Sequence, residues 1–126
     1  MSFPDAELVC MGLLDDLGYT CTGLPSAEEW PNLLPIIAIR RTGGGIDING
    51  ITDRAMVSVV VIDSTRPKAW ETAGAVRDRL RYAGATEVDG VLIDTTEEIV
   101  GNNQEWDIDV DDRFVDMQFW VTFRET

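Results

Sequence analysis

The segment that most constrains the fold of this chain is a run of alternating side chains near its end, RFVDMQFWVTFRE. One of its two alternating sets is wholly apolar: Val115, Met117, Phe119, Val121 and Phe123. Successive side chains of a β-strand point to opposite faces of the sheet, so the apolar set lies on a single face. The alternation therefore predicts a long strand that covers a hydrophobic core with one face.

A second predicted strand, RAMVSVVVID, is apolar on both of its faces. One face carries Ala55, Val57, Val59 and Val61, and the other carries Met56, Val60 and Ile62. A strand with two apolar faces needs a cover on each side. IIAIRR, upstream, and VDGVLID, downstream, predict two further strands.

Two amphipathic segments predict helices. SFPDAELVCMGLLDDLGY has Ser2 as a candidate cap and Gly18 as a stop, and RPKAWETAGAVRDRLRYAG begins after Ser64 or Thr65 and ends at Gly84. Between the first helix and the first strand, residues 19–35 contain three prolines, which favours a connection with at most one helical turn.

These elements predict an α+β fold in one domain, 1–126, with the order α-β-β-α-β-β. The sheet is expected to be largely antiparallel and four-stranded, with the two main helices on one face. Its other face keeps Phe114, Trp120 and the second apolar side of the RAMVSVVVID strand. Either the long connections of the chain or another subunit must cover that surface.

The glycine-rich segment TGGGIDING raises the question of a phosphate site. A phosphate loop needs a Gly-Lys-Ser/Thr sequence that leads into a helix, and a dinucleotide fingerprint needs glycine where Ile48 stands. Neither pattern is present, so the segment from Gly43 to Asp53 is predicted to be a flexible, projecting arm between two antiparallel strands.

Composition excludes several chemistries. The chain contains no histidine, which removes the commonest general base and zinc ligand, and its formal net charge is −13. Ten acidic residues and no lysine or arginine lie between Tyr82 and Asp112, and such a field repels nucleic-acid phosphate. Cys10 and Cys21 are expected to be buried thiols.

The acidic run DIDVDDRFVDMQ is not a calcium loop of the EF-hand type. Such a loop requires glycine at its sixth position and glutamate at its twelfth, where this chain has Asp112 and Gln118. We therefore predict no metal, no cofactor and no enzymatic activity. No apolar run approaches the roughly 18 residues of a membrane span, so no membrane association is expected.

The order of these segments resembles a known family. PDAELVCMGLLDDLG, LLPIIAIRRTGGGID, ITDRAMVSVVVIDSTRPKAWETAGAVRDRL, GVLIDTTEE and RFVDMQFWVTFR together resemble the tail terminator proteins of long-tailed bacteriophages, also called tail completion or head-tail joining proteins. The resemblance implies a small α+β subunit of the virion tail, assembled in the host cytoplasm. It also implies a homo-oligomeric ring, typically a hexamer, that caps the tail tube and docks the head-tail connector protein.

The expected site is therefore a set of contact surfaces. A subunit or partner interface is predicted at Arg40, Arg41, Gly43, Gly44, Gly45, Arg54, Met56, Val60, Ile62, Phe114 and Trp120. An acidic segment lining a DNA conduit is predicted at Glu97, Glu98, Glu105, Asp107, Asp109, Asp111 and Asp112. Repulsion there would let DNA pass without specific binding.

Two alternatives stay open from the sequence. The chain is compatible with another neck or minor tail protein, or with an acidic DNA mimic that inhibits a host nucleic-acid-binding protein. A mimic should repeat its carboxylates at phosphate-like spacing over a rigid face, whereas here they cluster in a loop-rich stretch.

Overall fold

The computed structural model describes residues 2–104 and 113–125 of the chain. Its helices are α1 (Ala6–Leu14), α2 (Trp30–Leu33), which follows a 3₁₀ turn (Ala27–Glu29), and α3 (Arg66–Arg81). Its strands are β1 (Tyr19–Cys21), β2 (Ile36–Ile46), β3 (Thr52–Ile62), β4 (Glu87–Val88), β5 (Val91–Leu92), β6 (Thr95–Asn103) and β7 (Phe114–Arg124). None of the described helices has the length and apolar character to cross a membrane.

The main sheet has five strands in the order β1-β2-β3-β7-β6. Strand β1 pairs with β2 in parallel, and the remaining neighbours are antiparallel. The α+β class is thus confirmed. The prediction of a four-stranded sheet with the order α-β-β-α-β-β was wrong, because the sheet is mixed and has one more strand.

Two strands of the main sheet lack the signals that made β2, β3 and β7 predictable. β1 has only three residues, and β6, TTEEIVGNN, is a largely polar edge strand without an apolar alternation. VDGVLID is not a strand of the main sheet. It contains the small β4–β5 hairpin, in which Asp89 and Gly90 take the positive φ angles of a tight turn.

The helix boundaries follow from their caps. α1 begins after Asp5, whose Oδ1 accepts hydrogen bonds from the backbone N–H groups of Glu7 (3.0 Å) and Leu8 (3.3 Å). The predicted cap at Ser2 was wrong. α3 begins after Thr65, one of the two predicted caps, and the Thr65 hydroxyl accepts from the N–H of Lys68 at 3.3 Å.

The main core lies between the sheet and the helices α1 and α3. The predicted apolar sets of β3 and β7 are fully buried there, as the alternation required. Arg79 of α3 ties the two helices together, because its guanidinium donates to the Asp16 carboxylate (2.7 and 3.0 Å) and to the Leu13 carbonyl (2.9 Å). We call this side of the sheet the helix face.

A second, smaller cluster lies on the opposite side of the sheet, which we call the outer face. Cys21, Ile36 and Ile62 are buried there under side chains from the connection between β1 and β2, namely Trp30, Leu33 and Leu34. The two main helices do share one face, as predicted. The short α2 region covers the other face, but only at the end of the sheet where β3 finishes.

Candidate interaction surface

The predicted glycine arm is a continuation of the β2–β3 hairpin. The two strands pair from Ile36 opposite Ile62 to Ile46 opposite Asp53, so the glycines lie within β2. Only residues 47–51 form the loop. The prediction of a flexible arm from Gly43 to Asp53 was therefore wrong, because backbone pairing extends almost to the tip.

The glycines serve the geometry of this hairpin. The pairing register shifts between Arg41 and Gly43, which marks a β-bulge. Gly44 has a φ of 90°, and a Cβ atom at this position would overlap the carbonyl oxygen of Arg54. Only glycine adopts this conformation without strain, so the bulge accounts for the glycine at this position.

The tip of the hairpin is held by Asp47. Its Oδ1 accepts from the N–H groups of Ile51 (2.8 Å) and Thr52 (3.2 Å), and its carbonyl accepts from the N–H of Gly50 (3.0 Å). The turn is thus an ordered structure. Sequence reasoning missed it, although the Asn-Gly pair within DINGI is a strong signal for a hairpin turn.

Three isoleucines are exposed at this tip. Ile46 and Ile51 are each more than half exposed, and Ile48 is fully exposed at 101%. Isolated apolar side chains on a protein surface are common, but three on one ordered turn form a small projecting apolar surface. We call residues 46–51 the hairpin tip.

Arg41 and Asp53 form a clamp across the hairpin on the helix face. The guanidinium donates to both carboxylate oxygens, at 2.7 and 2.8 Å, and Asp53 is only 4% exposed. The hydrogen bonds and charge of Arg41 hold the pKa of Asp53 below its ordinary value of 3.8. The N–H of Arg41 also donates to Glu7 of α1 (2.9 Å), so this arginine is bound within its own chain.

Arg54 lies on the outer face and is also paired internally. Its guanidinium stacks over the Trp120 ring at 4.0 Å from the ring centroid and donates to the Glu97 carboxylate at 3.2 Å. A cation over an indole ring is attracted by the electron density of that face. Trp120 is thereby partly covered by the guanidinium of Arg54.

Beside this pair, the outer face contains an apolar groove of about 410 Å³. Its lining includes the apolar residues Leu24, Ala38, Ile39 and Val60 and the polar residues Thr22, Arg40, Thr42 and Ser58. The small Ala38 side chain leaves a depression between the β1–β2 connection and Val60. We call this feature the outer groove.

The predicted interface residues thus separate into several environments. Val60 and Arg40 line the outer groove, whereas Ile62 is buried beneath the chain's own α2 region and is removed from the surface. Phe114 is 39% exposed and packs edge-on against Trp30, with ring centroids 5.6 Å apart. Met56 is half-buried on the outer face. The role of these residues as an interface stays a prediction.

The acidic segment is described only in part. Glu97 and Glu98 are successive residues of β6 and point to opposite faces; Glu98 is paired with Arg77 of α3, whose Nη2 lies 3.0 Å from Oε2. Arg77 lowers the pKa of the Glu98 carboxyl from its ordinary value of 4.5. Four predicted aspartates and one glutamate lie outside the described residues: Glu105, Asp107, Asp109, Asp111 and Asp112.

The described residues contain no cluster of three or more histidine, cysteine, aspartate or glutamate side chains that could hold a metal ion. Cys10 and Cys21 are free and buried, as expected. Burial raises the pKa of Cys10 to about 12, which keeps its thiol protonated and unreactive at neutral pH. The features of this surface that another protein could recognise are its shape, its apolar area and its charge.

Comparison with known proteins supports the resemblance to tail terminator proteins that the sequence indicated. No curated protein matched the chain. The model of the family described as phage tail termination protein matches residues 2–126, which is nearly the whole sequence. The chain belongs to the phage tail termination protein family and is a structural component of the phage tail.

Proposed function

We propose that this chain is the subunit of a ring, a hexamer, that caps the phage tail tube and joins it to the head-tail connector. The observation that carries this proposal is the incomplete outer face of the sheet. It leaves an apolar groove and a half-buried tryptophan at the surface, and the neighbouring hairpin ends in exposed isoleucines. Surfaces of this kind are typical of subunit contacts in closed oligomers.

The charge of the chain supports a place beside DNA without specific binding. With a net charge of −13 per chain, a ring of six would surround its channel with a strongly negative field. Passing phosphates would be repelled from such a wall and would not adhere to it. The acidic segment from Glu97 to Asp112 is the part of the chain that we assign to the conduit.

The remaining roles follow from this assembly. The partners are other copies of the chain, the tail tube protein and the connector protein, and the ring forms in the host cytoplasm before it enters the virion. We assign the chain no catalytic activity. Its contribution is to present one surface to the end of the tube and another to the connector.

Light scattering with a mass readout tests the ring directly. We expect six times the 14.0 kDa mass of the chain, either for the protein alone or after addition of tail tube protein. Electron microscopy of the mixture should then show the extra density at one end of each tube. A species that stays monomeric in both conditions contradicts the proposal.

Localisation in the assembled particle and a pull-down from host lysate separate the alternatives that the sequence left open. A different neck or minor tail protein would assemble but occupy another position in the particle. A DNA mimic would not bind the tail tube protein and would instead bind a basic nucleic-acid-binding protein of the host.

A further inference from the structure

We propose that the hairpin tip of one copy of this chain inserts into the outer groove of the next copy, with Ile48 as the inserted side chain. The inference rests on the ring proposed above and names the contact that holds it. Its occupant is a second copy, because the two surfaces belong to the same chain and complement each other in shape, polarity and charge.

The hairpin tip projects and the outer groove is recessed, so their shapes are complementary. Ile48 stands fully exposed at the end of an ordered turn, and the groove of about 410 Å³ has an apolar lining that includes Ala38 and Val60. Small-molecule pockets have volumes of this order, so the groove is large enough to admit an apolar side chain. Burial of Ile46, Ile48 and Ile51 would remove the most exposed apolar side chains of the hairpin from water.

The charges match as well. Among the residues that the structure describes, Arg40 is the only charged residue in the groove lining and has no carboxylate partner; its guanidinium donates to the Thr22 carbonyl at 3.2 Å. The only charged residue between 46 and 51 is Asp47. Two copies of a strongly acidic chain repel each other, so a contact is most favourable where a cation of one copy meets a carboxylate of the other.

The hairpin cannot fill its own groove. Thr42 lines the groove and Ile48 is six residues further along, a separation of roughly 20 Å at the rise of an extended strand. The Arg41–Asp53 clamp and the Asp47 turn keep the hairpin from folding back. A tip and a groove at different places on one molecule make a head-to-tail contact, which closes into a ring when the rotation between copies permits.

Cysteine cross-linking tests this contact. Two variants, Ile48→Cys and Thr42→Cys, are purified separately, mixed with tail tube protein if assembly requires it, and treated with a short bifunctional thiol reagent. We expect covalent dimers in the mixture and none with either variant alone. The native thiols do not interfere, because Cys10 and Cys21 are buried and burial raises the pKa of both.

A matched pair of charge substitutions provides a second readout. Ile48→Asp should weaken assembly at least about tenfold, as expected for a side chain at the centre of an interface. Leu8→Asp also places a carboxylate at an exposed apolar position, 63% exposed on α1, and should leave assembly unchanged. Both variants should retain the thermal unfolding midpoint of the parent, since neither side chain is buried.

The outcomes distinguish the contact from the ring. If rings form but the mixed variants give no cross-link, or if Ile48→Cys cross-links to itself, the tip-in-groove contact is overturned and the proposed function stands. If no ring forms with or without tube protein, both proposals fail together.

Discussion

The two faces of the sheet are closed by different means. On the helix face, Val57 and Phe119 are completely buried beneath α1 and α3. On the outer face, the β1–β2 connection closes one end over Ile36, and the rest leaves Val60 and Trp120 half-buried. The first face needs only this chain, whereas the second retains apolar surface that is available to another protein.

The charged pairs show the same division. Asp53 on the helix face is nearly inaccessible and is held by two hydrogen bonds from Arg41, whereas the Glu97 side chain on the outer face is 72% exposed and is held by one. Removing one partner of a pair shielded from water costs more stability than breaking a pair that water can screen, because the remaining charge is left desolvated. Stability should thus depend on the helix face, and assembly on the outer face and the hairpin tip.

The largest expected effect compares two successive residues of β7 that point to opposite faces. Phe119→Ala should lower the free energy of unfolding by about 3–5 kcal/mol, because it empties a packed core position. Trp120→Ala should cost much less in the monomer, since its ring is only half-buried. Urea unfolding of the two variants at a concentration that prevents assembly measures both. Equal losses would break the distinction between the faces.

Two successive glycines of β2 should also differ in the stability that is lost when each is replaced by alanine. Gly44→Ala should destabilise the chain by about 1–3 kcal/mol, because its positive φ disfavours a side chain and the new Cβ would meet the Arg54 carbonyl. Gly45→Ala is the control, since no atom lies within 4 Å of its added Cβ. Thermal unfolding followed by circular dichroism measures both. A neutral Gly44→Ala would show that the bulge is not required.

Substitutions in the two ion pairs should differ less in the free energy of unfolding that they cost. Asp53→Asn should cost about 1–3 kcal/mol, because it leaves the Arg41 guanidinium with a neutral partner at the buried position 53. Glu97→Gln, on the exposed outer pair, should cost no more than about 1 kcal/mol. Chemical denaturation of both variants at pH 7 is the measurement. A larger loss for Glu97→Gln would reverse the assignment.

The smallest effect is a dependence on acid pH. The folded-state pKa of Asp53 lies below its ordinary value of 3.8, so this group stabilises the fold above pH 3.8 and loses that contribution as the pH falls further. The difference in unfolding free energy between the parent and Asp53→Asn should therefore shrink below pH 3.8. Denaturation curves from pH 7 down to pH 3 would show this, and a constant difference would contradict it.

Sequence reasoning succeeded where side-chain periodicity is strong and failed where it is weak. The alternation in β7 predicted its buried face correctly, and the cap at Thr65 predicted the start of α3. It failed for β6 and β1, since a polar edge strand and a three-residue strand have no period to detect. The outer groove could not be predicted at all, because residues far apart in the chain meet there around Ala38.

The sequence by itself determined the α+β class and the buried faces of β3 and β7, because apolar periodicity is a local property, and its resemblance to tail terminator proteins indicated the family. The tertiary structure alone decided which part of the outer face stays open. That depends on where the β1–β2 connection crosses the sheet, and on the bulge at Gly44 that lets the strands pair out to Ile46. The crossing of the connection is a long-range outcome, since it brings together residues whose contact no local pattern encodes.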